Sequence, residues 1–199
     1  MARLMLKQFQ GAGLEPIDLT IDAGECITLT GSSGSGKTRL LRAIADLDPH
    51  TGDILLDHQP IDATPPPEWR RRVGLLPAES HWWHDRVAAH FTAPTSSLLE
   101  QLGLSADCLQ WSPSRLSSGE RQRLALARLL DRQPAVLLLD EPTANLDPEN
   151  SARVEQVVAH YATQQGAAVL WVSHDPQQRH RVGTRHLTIR GQRIEAESV

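Results

Sequence analysis

The sequence predicts an α/β fold, a mostly parallel sheet flanked by helices, and three observations predict it. Residues 26–30 form a short β-branched and apolar run. A glycine-rich turn follows it, and then Leu40, Leu41, Ile44 and Leu47 recur at helical spacing. Residues 135–139 and Ala168–Val172 are continuously apolar, as parallel strands covered on both faces must be. Helical stretches lie between these strands, which makes neighbouring strands run in the same direction.

The chain has 199 residues, enough for one sizeable domain with a small lobe, and 40% are hydrophobic. A net charge of -4 argues against a general nucleic-acid binder, and no nucleic acid is expected as a partner. The two cysteines, Cys26 and Cys108, lie far apart in sequence and read as reduced thiols of a cytosolic protein. No charged leader with an apolar core opens the sequence, and no window is apolar enough to span a bilayer.

In chain order, residues 3–7 read as a first strand and Ile17–Ile21 as a half-buried one. Residues 22–25 turn the chain into the core strand. Residues 53–57 and 59–62 read as the legs of a hairpin, giving an N-terminal antiparallel β-subdomain. Pro65-Pro66-Pro67 reads as a stiff linker before a core strand at Val73–Leu76. Residues 85–109 have helical character, broken at Pro94 and Gly103. They mark a small helical lobe, residues 77–116, inserted between core segments 1–76 and 117–199 of a single domain.

A strong helix is expected over residues 121–131, opened by Ser117 as N-cap with Glu120 three residues later. Asp147-Pro148 is a second helix start, with Val154, Val157, Val158 and Tyr161 on its buried face and Gly166 at its end. Residues 186–189, a Gly191-Gln192 turn and Arg193–Ala196 complete the pattern.

Between the first core strand and its helix lies Gly31-Ser32-Ser33-Gly34-Ser35-Gly36-Lys37-Thr38, a phosphate-binding loop. Its glycines let backbone N–H groups turn toward oxygen anions, and the helix N-terminus adds partial positive charge. Lys37 would reach the β- and γ-phosphates, and the Thr38 hydroxyl would ligate Mg²⁺. Asp140-Glu141 and His174 also follow strands, so all three segments can meet at the carboxyl edge of the sheet. Asp140 suits a Mg²⁺ site, and Glu141 suits the polarisation of an attacking water.

These residues resemble the nucleotide-binding subunit of ATP-binding cassette (ABC) transporters. The resemblance rests on five segments in the family's order: the phosphate loop, Leu116-Ser117-Ser118-Gly119-Glu120, residues 137–142 (Leu-Leu-Leu-Asp-Glu-Pro), residues 144–147 (Ala-Asn-Leu-Asp) and Ser173-His174. It implies a P-loop NTPase fold that binds ATP and Mg²⁺. It implies Glu141, His174 and Lys37 as catalytic, with His174 sensing the γ-phosphate, and Thr38 and Asp140 as metal ligands. It also implies that Ser117, Ser118, Gly119 and Glu120 meet the nucleotide of a second ATPase subunit, with Asn145 and Asp147 crossing the interface. The partners implied are that second cassette, in a homodimer, and an integral membrane transporter subunit. The cassette would then sit on the cytoplasmic face of the cell membrane. Two other readings stand beside this one: a soluble ATPase of the same superfamily acting on DNA or ribosomes, and a non-hydrolysing regulatory cassette.

The sequence departs from the family pattern at three places. Ala78, with Glu79 beside it, stands where the family has a loop glutamine. Ser118 replaces a glycine. The aromatic that stacks on adenine has one candidate near the N-terminus, Phe9. His81-Trp82-Trp83-His84 reads as lobe core or as a groove for a membrane-subunit helix rather than as a metal site. Arg70-Arg71-Arg72 and Arg179-His180-Arg181 read as solvated faces.

Overall fold

Two sheets share the chain. The computed structural model describes residues 4–197. Among these, the strands are β1 (Leu4–Gly11), β2 (Ile17–Ile21), β3 (Cys26–Gly31), β4 (His50–Leu56), β5 (Gln59–Pro60), β6 (Val73–Leu76), β7 (Val136–Asp140), β8 (Ala168–Val172), β9 (Arg185–Arg190) and β10 (Arg193–Ala196). The α-helices are α1 (Lys37–Ile44), α2 (Pro66–Arg72), α3 (Ser96–Gln101), α4 (Ser118–Leu130), α5 (Pro148–Gln165) and α6 (Pro176–Val182).

The core sheet runs β10-β9-β3-β8-β7-β6. Its pairings are parallel except for the last hairpin, β9–β10. Every residue of β7 and of β8 is buried, which is why their sequences show no alternation. The second sheet, β2-β1-β4-β5, is antiparallel. Leu4, Leu6, Phe9, Ile54 and Leu56 close it over one face of α1, with Leu40, Leu41 and Ile44 beneath. The opposite face of the core sheet, Leu137, Leu139, Val169 and Trp171, packs with Leu124 of α4 and Val154 of α5.

The lobe shares that second core. Val87, Leu99, Leu102, Leu104, Cys108 and Leu116 bury their side chains in it. Its secondary structure is more broken than helical periodicity implies. Only α3 is an α-helix, and Val87–His90, Ala106–Gln110 and Pro113–Arg115 are single 3-10 turns. Ser105 and Ser112 accept backbone hydrogen bonds at the starts of the last two, so each turn is capped locally instead of propagating.

Four local expectations change. Residue 3 of the first expected strand lies outside the described residues, and the strand continues to Gly11. Residues 61–63 curl into a 3-10 turn instead of extending the hairpin. The triple proline is a helix start rather than a linker: Pro65 is the N-cap of α2, with Pro66 and Pro67 in its first turn, where no intrahelical N–H is needed. Arg179 is buried and paired with Glu197, so its segment is not simply a solvated face.

Trp69 on α2 is fully buried, and its Nε1–H donates to the Ile44 carbonyl at 3.0 Å. That bond satisfies one of the orphan carbonyls at the end of α1. Arg70 and Arg72 face outward and pair with Asp46 and Asp57.

Candidate functional site

Parallel register brings the site together. Leu29 of β3 and Asp140 of β7 both lie opposite Val172 of β8, so the loops that leave these strands emerge side by side. The phosphate loop leaves β3, Glu141 follows β7, and Ser173-His174 follows β8. Two backbone bonds lock the three exits: Ser173 N–H to the Leu29 carbonyl at 3.2 Å and Glu141 N–H to the Val172 carbonyl at 3.1 Å.

Within the phosphate loop, Gly34 and Gly36 have φ of 78° and 101°, left-handed values that favour glycine. Lys37 is 7% exposed, and its ammonium donates to the carbonyls of Gly31 at 2.9 Å and Ser32 at 3.1 Å. The cation therefore curls back across its own loop. The Ser35 Oγ is buried without a protein hydrogen-bond partner. The loop thus concentrates donors, as an anion site does.

Thr38 Oγ1 donates to Asp140 Oδ2 at 2.7 Å. Burial pushes the Asp140 carboxyl above its ordinary value. The Thr38 bond opposes that rise, and the neighbouring Glu141 charge adds to it. A buried carboxylate oxygen beside a hydroxyl, in a field that disfavours the bare anion, is a hard donor set that suits Mg²⁺.

Glu141 Oε1 lies 3.1 Å from His174 Nε2. Glu141 holds φ of 49°, a left-handed conformation that costs a non-glycine residue about 1–3 kcal/mol. Its N–H bond to Val172 holds it there, at the mouth of an open cleft of about 680 Å³ that His174, Thr143 and Gln178 also line.

The second cluster is the start of α4. Ser117 and Glu120 make the full reciprocal cap: Glu120 N–H to Ser117 Oγ at 3.2 Å and Ser117 N–H to Glu120 Oε2 at 2.9 Å. The Ser117 N–H and the Ser117 hydroxyl, which donates to Glu120 Oε2 at 2.7 Å, hold the Glu120 carboxyl below its ordinary value. A Cβ on Gly119 would stand 3.2 Å from Leu146 and 3.6 Å from the Asn145 carbonyl, so this helix start abuts the loop before α5. Asp147 caps α5, accepting from Asn150 N–H at 2.8 Å and Asn150 Nδ2 at 2.7 Å. Arg123 joins the two helices to the lobe by donating to the Leu102 and Gly103 carbonyls and to Asn150 Oδ1.

Phe9 is not placed to stack on a base. It is fully buried, its ring lies 5.5 Å from that of His50, and it packs under Gly11. The residue over the phosphate loop is Ala12, whose carbonyl lies 3.3 Å from where a Cβ on Gly36 would be. Ala78 and Glu79 are exposed.

Three contributors were missed in the sequence. Trp69 and Arg123 carry no motif. His90 is buried in the lobe, where its Nε2 accepts from Trp83 N–H at 3.0 Å and His84 N–H at 3.1 Å. Its Nδ1 lies 3.1 Å and 3.2 Å from the Arg86 and Val87 carbonyls, which fixes the proton on Nδ1. Trp83 is 63% exposed, and the Arg128 guanidinium lies 4.5 Å from the Trp82 ring and 5.1 Å from the Trp83 ring. Among the described residues, no cluster of three or more potential ligands of the His, Cys, Asp and Glu types is placed to hold a metal ion.

Residues 14–144 match the family model described as ABC transporter. The chain belongs to the ABC transporter family. As a member it is an ATP-binding cassette and an ATP hydrolase coupled to transport.

Curated relatives of this cassette include the aliphatic sulfonates import ATP-binding protein SsuB 2 of Paraburkholderia xenovorans, 39% identical over 92% of this chain and 73% of that protein. The probable iron export ATP-binding protein FetA of Escherichia coli is 33% identical over 81% of this chain and 78% of that protein. The Fe(3+) ions import ATP-binding protein FbpC of Yersinia enterocolitica is 34% identical, and the match spans 51% of it. Among solved structures, a bacterial Atm1-family ABC exporter with ATP bound superposes with a TM-score of 0.83 at 20% identity. That match covers 97% of this chain and 38% of the exporter chain, and it bears on the fold alone. Among the described residues, no helix is long and apolar enough to cross a membrane.

Proposed function

We propose that this cassette powers translocation through a separate membrane-spanning subunit, and that two cassettes close head to tail over two ATP molecules to do so. One observation carries the reading: Lys37, the Thr38–Asp140 pair and the Glu141–His174 pair converge at one edge of the sheet. The names of the three curated relatives share ATP binding and import or export, which supports the reading.

In this reading the phosphate-loop N–H groups and Lys37 bind the β- and γ-phosphates. Thr38 and Asp140 hold Mg²⁺, which supplies charge compensation to the phosphate oxygens. Glu141 accepts a hydrogen bond from the attacking water and orients it, and His174 fixes Glu141 while facing the γ-phosphate. Positioning and charge compensation are what phosphoryl transfer to water needs.

The α4 N-terminus has a separate task. Its first-turn N–H groups lie in the exposed Ser117-Ser118 segment, a second anion-binding helix start. We assign it to the ATP held by the opposite cassette, with Asn145 and Asp147 crossing beside it. Residues 77–116 then form the lobe that meets the membrane subunit, and Trp83 with Arg128 gives that lobe an aromatic and cationic face. The cassette would work at the cytoplasmic face of the membrane.

The test is capture from native membranes. A tagged chain carrying Glu141→Gln, held with ATP, should retain a polytopic membrane protein and a second cassette in stoichiometric amounts. Recovery of ribosomes or nucleic acid with no membrane protein would overturn the transport reading. Recovery of complexes that hold only one cassette in total under ATP would overturn the head-to-tail dimer.

A further inference from the structure

Behind the Glu141–His174 pair lies a buried amide that belongs to no motif. Gln178, on α6, is 4% exposed, and it touches three different elements. Its Oε1 accepts from the Ser173 hydroxyl at 2.8 Å. Its Nε2 donates to Glu155 Oε1 of α5 at 2.9 Å and to Thr143 Oγ1 at 2.8 Å. Glu155 is an acceptor alone when ionised, so it fixes which end of the amide faces it. Glu155 is in turn gripped by Arg181, whose Nε and Nη2 lie 3.1 Å and 2.9 Å from its two oxygens.

The partners stand next to the chemistry. Ser173 precedes His174, and its Oγ also accepts from Asp175 N–H at 3.1 Å. Thr143 lies two residues past Glu141, in a turn where Ala144 N–H bonds the Glu141 carbonyl at 3.2 Å. The amide is therefore a second side-chain bridge, behind the Glu141–His174 contact, between the loops that carry these two residues. Glu141 sits at a left-handed φ that it does not favour by itself, so its loop needs an external hold.

We propose that Gln178 is a positioning residue for hydrolysis, an amide latch that sets the Glu141–His174 spacing by tying Thr143, Ser173 and Glu155 to one side chain. The proposal rests on the reading of Glu141 as the water-orienting group. An amide is the side chain that fits, because the site asks for an acceptor toward Ser173 and a donor toward Glu155. A carboxylate there would face the Glu155 carboxylate with no proton between them. An apolar isostere would leave the buried Ser173 hydroxyl and the half-buried Thr143 and Glu155 without this partner.

The experiment is steady-state ATP hydrolysis by Gln178→Leu, Gln178→Glu, Glu155→Gln and the double variant Gln178→Glu/Glu155→Gln, each shown to be folded by thermal melting. The phosphate loop is untouched, so KM for ATP should hold while kcat falls by about tenfold or more in both Gln178 single variants. The double variant restores a carboxylate–amide pair with its polarity reversed, and kcat should recover to within a few-fold of the native value. A Gln178→Leu protein that does not fold leaves the comparison of Gln178→Glu with the double variant to decide. Native kcat in Gln178→Glu, an effect confined to a rise in KM, or no recovery in the double variant would overturn the latch. Glu141→Gln is the control: if it retains native turnover, the underlying site reading fails. If it is inactive while the Gln178 variants are normal, the latch alone fails.

Discussion

His174 Nε2 lies 3.1 Å from Glu141 Oε1, across the gap between two loops that leave adjacent parallel strands. The contact is therefore set by strand register and by the groups behind it, not by either loop alone. Glu141→Gln keeps the size of the side chain and removes the carboxylate. It should lower kcat by about a hundredfold or more while ATP binding persists, checked by phosphate release and nucleotide titration in parallel. His174→Ala should lower kcat in the same assay without loss of ATP binding.

The mouth of the phosphate loop makes a second prediction. Ala12 leans over Gly36, and Phe9 is buried beneath. Ala12→Tyr would place a ring where a base can stack, at a contribution of about 1–3 kcal/mol per base. ATP affinity should then rise about fivefold or more. Phe9→Ala should instead lower stability by about 3–5 kcal/mol, the cost of emptying a core aromatic site. Nucleotide titration of the first and chemical denaturation of the second separate these outcomes.

His90 makes the lobe sensitive to acid. Burial pushes its pKa below the ordinary 6.5, backbone carbonyls of Val87 and Arg86 oppose the shift, and the charges of Arg128 and His84 add to it. The unfolded chain therefore binds the proton more readily. The contribution of neutral His90 is complete above pH 6.5 and is lost as pH falls from there toward the lowered value. Protonation also removes the acceptor that holds Trp83 N–H and His84 N–H. Melting temperature, followed from pH 8 down to pH 5, should drop more steeply in the native chain than in His90→Gln.

Ser117 caps α4 and accepts from Glu120 N–H. Ser117→Ala should cost about 1 kcal/mol of stability from the lost cap alone. If α4 also meets the nucleotide of a second cassette, ATP-dependent dimerisation should weaken beyond that loss, and analytical ultracentrifugation of Ser117→Ala in the Glu141→Gln background checks it.

Much of this fold was legible because its signals were local. β7 as far as Leu139 and all of β8 are apolar since both faces are buried, and α5 carries its cap, its proline and its terminal glycine in sequence. The convergence of the phosphate loop, Asp140, Glu141 and His174 at one sheet edge was legible because each ends or follows a strand. The rest depended on contacts between distant segments. Pro65-Pro66-Pro67 gives the same letters whether it stiffens a linker or starts a helix, and burial of Trp69 against Ile44 decides between them. Phe9 looks available until β4 brings His50 against it. Residues 85–109 have helical spacing, yet Pro94 and the Ser105 cap divide them into one short α-helix, α3, between 3-10 turns. Gln178 is one of two adjacent glutamines, and only the packing of α6 on α5 shows which one is buried.

The Trp69 indole does more than finish a helix. It bolts the far end of α1, whose near end is Lys37, to α2, and α2 runs directly into β6 and so toward Ala78 and the tryptophan-bearing face. The bolt is dry, with Trp69 and Ile44 both fully buried, so it has little play. Any tilt of α1 on its phosphate loop must carry α2 with it as one strut. The link from the phosphate-loop helix to the strand that leads to Ala78 therefore runs through Trp69 and uses neither Glu141 nor His174.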